Sequence, residues 1–274
     1  MTKARRSAMI LRTLVYAGAA FTAVVFLGLV LYILIRGVPN LHWSLFAWEY
    51  NTDNASMMPA LINTLSMTLL SLIVAVPVGV FGAIYMTEYA SSSSRLVKVT
   101  RITSETLTGI PSILFGLFGL MFFVTTLKLG LSLASGALTL SIMILPLILR
   151  ATEEALIAVP REYREGSFGL GAGRLRTVSK VVLPSAMPGI LSGVILAIGR
   201  IVGETAALIY TAGTVAKAAD ALTDSARTLS VHMYALSSEG LYIKQASATA
   251  AVLLFLVAGI NALSAWAAKR LTRR

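Results

Sequence analysis

The chain has no cysteine among its 274 residues. Disulfides, thiolate-held zinc and thiol nucleophiles are therefore excluded. Charge is also scarce. Asp, Glu, Lys and Arg make up 13% of the residues, against about 25% in an average soluble domain. There are two histidines, His42 and His232, in separate non-spanning stretches. A surface or interface role suits them better than a metal site. No Gly-x(4)-Gly-Lys-Ser/Thr phosphate-binding loop occurs, so any ATP must be bound by another chain. Nor is there a Ser/His/Asp constellation, which makes a membrane-embedded enzyme a remote reading and leaves no catalytic residue to name.

What is abundant is apolar sequence, at 57% of the chain. Long uncharged runs of that kind mark an integral membrane protein. The expected class is all-α and polytopic, with six transmembrane helices. The first is an uncleaved span at 14–35, since Leu14–Ile35 is too long for a signal-peptide core. A second span is expected near Ala60–Met86, a third near Ile102–Thr125 with Gly109 and Pro111 inside it, and a fourth near Ser135–Leu149 running on as helix. The fifth is expected near Pro188–Ala212 and the sixth near Ala246–Ala267. Residues 1–13 and 268–274 form tails, and 60–267 forms a core of five spans around the polar segment 150–184. Trp43, Trp48 and Tyr50 suit an interfacial aromatic belt.

The net charge of +11 would suggest nucleic acid in a soluble protein. Here the cations sit at span ends. Seventeen of the 23 Lys and Arg fall on one side of the six-span map and five on the other, with Arg200 inside a span. That bias places both termini in the cytoplasm and needs no nucleic-acid partner.

Segment 150–184 is the one long polar interruption. Pro160 suits a helix start, and Glu162 and Glu165 follow in the first turns, where the helix dipole favours anions. Gly169, Gly171 and Gly173 then break the helix. Leu175–Leu183 reads as a second amphipathic piece that Leu183-Pro184 ends at the membrane. A short exposed helix of this kind is suited to a groove on a soluble protein.

Arg200 is expected mid-span. A central arginine costs about 2.5–3.5 kcal/mol on insertion scales and is a functional candidate by default. Glu204 stands four residues on, on the same helical face. A mutual salt bridge is one reading. The other is an anion path, in which the guanidinium fork holds an oxyanion and Glu204 accepts a hydrogen bond from a proton that the anion retains. Asn63, Ser112, Thr205 and Thr211 are weaker path-lining residues. Gly189/Gly193 and Gly199/Gly203 have the spacing of close helix contacts, with the facing helix left open.

Residues Glu165, Gly171, Val181, Leu183 and Pro184 match the spacing of the cytoplasmic EAA motif of bacterial ABC-importer permeases. Gly166 and Ser167 stand where that motif has two alanines. The stretches Leu107–Leu120, Leu145–Leu156, Gly199–Gly213 and Thr228–Leu241 narrow the resemblance to the PstA-type permeases of phosphate-specific importers. Ala207 stands where such permeases often have a proline, removing one cause of a local bend.

The resemblance implies an ABC-importer type I (MetI-like) permease core in the bacterial cytoplasmic (inner) membrane. It implies that Pro160, Arg161, Glu162, Glu165, Gly166, Ser167, Gly171, Leu183 and Pro184 couple to an ATPase, and that Arg200, Glu204 and Thr205 line the substrate path. The implied partners are a PstC-type second permease, two PstB-type ATPase subunits, a PstS-type phosphate-binding protein and the lipid bilayer. ATP and Mg²⁺ would sit on the ATPase subunits, with no cofactor on this chain. Two rivals remain open: an importer for another oxyanion such as sulfate or molybdate, and a self-sufficient channel or secondary transporter.

Overall fold

In a computed structural model the residues described are 3–91 and 93–272. They form eleven α-helices: α1 Lys3–Gly37, α2 Met58–Ile84, α3 Arg95–Thr108, α4 Ser112–Gly119, α5 Leu133–Ile157, α6 Arg161–Gly169, α7 Arg174–Thr177, α8 Leu183–Val202, α9 Ala206–Thr211, α10 Leu229–Glu239 and α11 Ile243–Thr272. Five helical segments are long and apolar enough to cross a bilayer, and a bent pair makes a sixth. Helix already runs through the described parts of both expected tails. Arg273 and Arg274 lie outside the described residues.

Helix α5 is the spine. It packs on α2, α8, α3, α4 and α9, and Leu140, Ile144, Ile148 and Leu156 are wholly buried along it. Its N-terminus is capped by Ser132, whose side chain accepts the Ser135 amide. Between α2 and α5 the bonds are reciprocal: Ser71 Oγ donates to the Ala137 carbonyl, and Ser141 Oγ to that of Ser71, both at 3.2 Å. Such bonds supply directional glue where apolar burial alone cannot choose a helix's partner.

The Gly189/Gly193 pair faces α5 within this chain. An added Cβ on Gly189 would lie 2.6 Å from Ala155 Cβ, and one on Gly193 would collide with Ala151 Cβ. Gly199, by contrast, has open space around it. Helix α1 touches α11 at its end, where Gly37 meets Ser247 and Ala251. The rest of its apolar window has no buried residue.

Two spans differ from expectation. The third is broken at Gly109–Pro111, where α3 and the α4 segment to Thr126 meet at 106°. Pro111 has no N–H for a continuing helix and drives its predecessor out of the α region. Helix α3 is amphipathic, with Arg95, Lys98, Arg101 and Glu105 among its residues. The fifth span is displaced. One continuous helix runs from Arg174 to Val202, so Leu183-Pro184 does not end the amphipathic piece. A π turn at Val178–Val182, closed by the Leu183 amide on the Val178 carbonyl, precedes Pro184. That wider turn gives room for the ring, which would clash with the carbonyl four residues back.

The segments between spans fold over one end of the bundle. Asn63 holds them there. Its Nδ2 donates to the Lys217 and Arg227 carbonyls, and its Oδ1 accepts the Ala219 amide. His232 in α10 is buried at 1% exposure rather than at a surface. Arg227 Nη1 lies 3.3 Å from its Nδ1, and the Tyr50 ring stands edge-on to it. Burial first, and then the neighbouring Arg227 charge, push its pKa down from 6.5 to about 4.

Two outcomes follow. Gly193→Val should lower stability by about 1–3 kcal/mol through overpacking, whereas Gly199→Ala should not lower it, as read by thermal denaturation of the purified chain in detergent. As pH falls from 6.5 towards 4, the unfolded chain binds a proton at His232 that the folded chain refuses. Stability should then fall by up to about 1.4 kcal/mol per pH unit from this group. The same denaturation series on His232→Gln should show a shallower acid slope than wild type.

Candidate functional site

Two groups of residues carry the predicted chemistry, at opposite ends of one helix. At the first, α5 ends at Ile157 and Pro160 caps α6 from outside it. Pro160 is thus the N-cap, not the first helical residue. Its φ of −54° and ψ of 141° turn the chain before Arg161. Glu162 lies in the first turn, where the dipole favours it.

The end of α6 is a Schellman motif. The Gly171 amide donates to the Phe168 carbonyl at 2.9 Å, and the Ala172 amide to Ser167 at 3.1 Å. Gly171 takes φ +81°, a conformation that disfavours any residue with a Cβ. An added Cβ there would meet nothing. The glycine is required by backbone conformation, not by crowding.

No residue of α6 is buried. Arg161, Glu162, Glu165 and Gly166 are exposed, and Ser167 is half-buried with its hydroxyl 2.8 Å from Thr177 Oγ1. Sequence reasoning weighed the charges here and missed the apolar groups. Tyr163 and Phe168 are half exposed and Leu170 is 92% exposed. Large apolar side chains at that exposure on a projecting helix are the anchors a protein partner would bury. Leu183 and Pro184 belong to α8, not to this helix.

Sequence reasoning also missed Glu88. It lies in the helical extension of α2, and Arg164 reaches it with Nη2 at 2.7 Å and Nε at 3.2 Å. The available signal was an acid closing a long apolar span with no cation nearby in sequence. Glu153 is similarly tied to α3 by Arg101 Nε at 2.7 Å.

At the far end, α8 stops at Val202 and the chain breaks at Gly203–Thr205 before α9. Arg200 lies in the last turn of α8, where unpaired carbonyls favour a cation. The expectation of a mid-span arginine is corrected. Arg174 and Arg200 are about 39 Å apart at about 1.5 Å per residue. Arg200 thus stands in the last turn before that helix ends at Val202, not at its middle.

Arg200 and Glu204 do not share a helical face, because the helix ends between them. Among the described residues no ion pair within 4.0 Å involves either. The mutual salt bridge is therefore absent.

Glu204 is buried and serves the break itself. Its Oε1 accepts the Ala207 amide at 3.0 Å, and its carbonyl accepts the Ser230 hydroxyl at 2.6 Å. The bend persists without a proline at 207, and the amide that a proline would lack caps α9. Thr205 is half-buried beside it. Gly116 lets α4 approach α9 closely, where its Cβ would fall 2.8 Å from Ala207 Cα.

The family model described as "binding-protein-dependent transport system inner membrane component" matches residues 75–274. The Bacillus subtilis "probable ABC transporter permease protein YqgI" is 34% identical, with 90% of each chain covered. "Phosphate transport system permease protein PstA 2" of Mycobacterium bovis is 39% identical over 66% of this chain and 60% of its own length. "PstA 1" of Mycobacterium tuberculosis is 41% identical over 56% of this chain. This chain spans only about half the length of that last relative. In fold, the permease in inward-facing structures of the MetNI methionine ABC transporter superposes with a TM-score of 0.60. It is 21% identical, with 88% of this chain and 97% of that one covered. A chain of a bacterial alginate-importing ABC transporter does so at 0.60 and 15% identity, over 98% and 99%.

Replacing Gly171 by alanine should cost about 1–2 kcal/mol, the penalty of a left-handed residue with a Cβ. Because no neighbour is crowded, the loss should be confined to the α6 end. Faster hydrogen exchange of the Gly171 and Ala172 amides, with the α5 amides unchanged, is the expected readout.

Proposed function

The chain belongs to the family of binding-protein-dependent transport system inner membrane components, and on that premise we propose that it is the permease subunit of an ATP-driven phosphate importer. It is a multi-pass membrane protein, and we place it in the bacterial inner membrane with both termini cytoplasmic. The observation that carries the ATP-driven reading is α6: a short helix with no buried side chain, stopped by a Schellman turn and presenting Tyr163, Phe168 and Leu170 to solvent. Such a helix has no use in a channel that works alone. It is a docking element for a soluble ATPase. Two ATPase subunits of PstB type would bind ATP and Mg²⁺.

Phosphate as cargo rests on the PstA relatives and on Arg200. The α8 face bearing Ser192, Leu196, Arg200 and Gly203 is the least covered side of that helix, so a second permease of PstC type would complete the path beside it. A PstS-type binding protein would deliver phosphate from outside. On that reading Arg200 sits near the entry rather than at mid-membrane. Its guanidinium meets the anion as a permanent, forked donor. Glu204 keeps one oxygen on the Ala207 amide, while among the described residues its Oε2 has no hydrogen-bond partner. That oxygen would accept the proton of hydrogen phosphate, which sulfate lacks.

Radiolabelled phosphate and sulfate uptake by the assembled importer tests this. Arg200→Lys keeps the charge but loses the fork. Glu204→Gln keeps the cap on Ala207 but loses the charge. Both should reduce phosphate uptake by about tenfold or more at unchanged complex yield. Wild-type uptake in both variants would remove these residues from the path, and equal uptake of sulfate would remove phosphate as the specific cargo.

A further inference from the structure

The docking helix has to be fastened to the bundle, and apolar packing does not do it. Among the described residues of α6 none is buried. Besides the chain at either end and its contact with the π turn at Val178–Val182, its polar attachments are the Ser167–Thr177 hydroxyl pair and Arg164.

Arg164 is built in from three sides. Its Nη2 and Nε bind Glu88 at the end of the α2 extension, at 2.7 and 3.2 Å. Its Nη1 donates to the Val159 carbonyl and Nη2 to that of Leu156, both at 2.8 Å. The two side chains are 19% and 9% exposed, and together they are the least exposed ion pair among the described residues.

Each contact has a local electrostatic reason. The Leu156 carbonyl lies in the last turn of α5, at the negative end of its dipole, and the Val159 carbonyl follows just beyond the helix, so a cation belongs there. Glu88 also lies at the C-terminal end of a helix, where an acid is unfavourable unless a cation answers it. A guanidinium can meet a carboxylate and two carbonyls at once because its donors form a rigid planar fork. A lysine ammonium presents three donors from one point.

We propose that Arg164 is the positioning residue through which movement of α6 is delivered to the α2–α5 pair. This rests on the reading of α6 as an ATPase-docking helix. Displacement of α6 then carries the ends of α2 and α5 with it, while the continuous Arg174–Val202 helix carries the same displacement towards Arg200. Without the fork, α6 moves relative to the ends of α2 and α5, and that pair does not follow.

The test uses the complete importer in proteoliposomes, with Arg164→Lys and Glu88→Gln as the variants. Three quantities are read: ATPase subunits retained per permease, ATP hydrolysed, and phosphate moved per ATP. The expected result is wild-type retention of the ATPase and continued hydrolysis, with phosphate moved per ATP down about tenfold, the scale of a coupling change between two states. Gln at 88 keeps an acceptor for Arg164 and should be the milder variant.

An unchanged phosphate-to-ATP ratio in both variants overturns the proposal. So does loss of the ATPase from a permease still present in the membrane, because the tie would then serve docking and not transmission. If neither variant yields permease in the membrane, the role is structural and the proposal falls as well. Failure of the underlying reading is distinct from all of these: the wild-type chain would then hold no ATPase at all.

Discussion

Every backbone polar group carried into an apolar bundle must find its partner inside the protein, and the irregular parts of this chain are answers to that demand. The break at Gly203–Thr205 exposes amides at the start of α9, and Glu204 takes one of them while Ser230 donates to the Glu204 carbonyl. The carbonyls at the end of α5 fall to Arg164. Around Pro184, the π turn closes its own bond from the Leu183 amide. Over the N-terminal end of α2, Asn63 uses both its donor and acceptor atoms on loop backbone. None of these side chains adds much apolar burial. They decide where the backbone is allowed to depart from a helix, and the positions proposed for coupling and for the path lie at those departures.

That constraint also explains the longitudinal layout. A helix running unbroken from Arg174 to Val202 joins the end of the docking segment to the turn that bears Arg200. Had the fifth span begun at Pro188, as its apolar run suggests, a loop would separate the two and a push at one end would be lost in it. The widened turn before Pro184 keeps the connection helical. Gly189 and Gly193 press the middle of that helix onto α5 at Ala155 and Ala151, so it lies against the spine as a packed surface.

The spans and the projecting polar helix were legible in the sequence for a simple reason. Long uncharged runs and the placement of Lys and Arg report solvent directly, residue by residue, and α2, α5 and α11 fall where the hydropathy puts them. The spacing of Glu165, Gly171 and Pro184 likewise survives without knowledge of packing. What was not legible depends on pairs. Arg164 and Glu88 are 76 positions apart, and nothing local to either names the other. Arg200 and Glu204 looked paired because four residues make one helical turn, an inference that holds only while the helix continues. Pro111 and the Gly203–Thr205 break show the same limit. An apolar run states that a segment is out of water, not that its backbone is straight.

The two faces left open by the packing differ in kind. Helix α1 carries a long apolar window with no buried residue and packs on α11 near its C-terminal end, around Gly37, a surface suited to lipid. The open face of α8 is different, because it combines Leu196 with Ser192, Arg200 and two glycines around which little is packed. Lipid cannot satisfy a guanidinium at that position without drawing in water or a headgroup. A second protein surface can, since glycine allows close backbone approach and leaves the arginine at the edge of the contact. A second chain laid on this face, as proposed above, would account for the charge on α8.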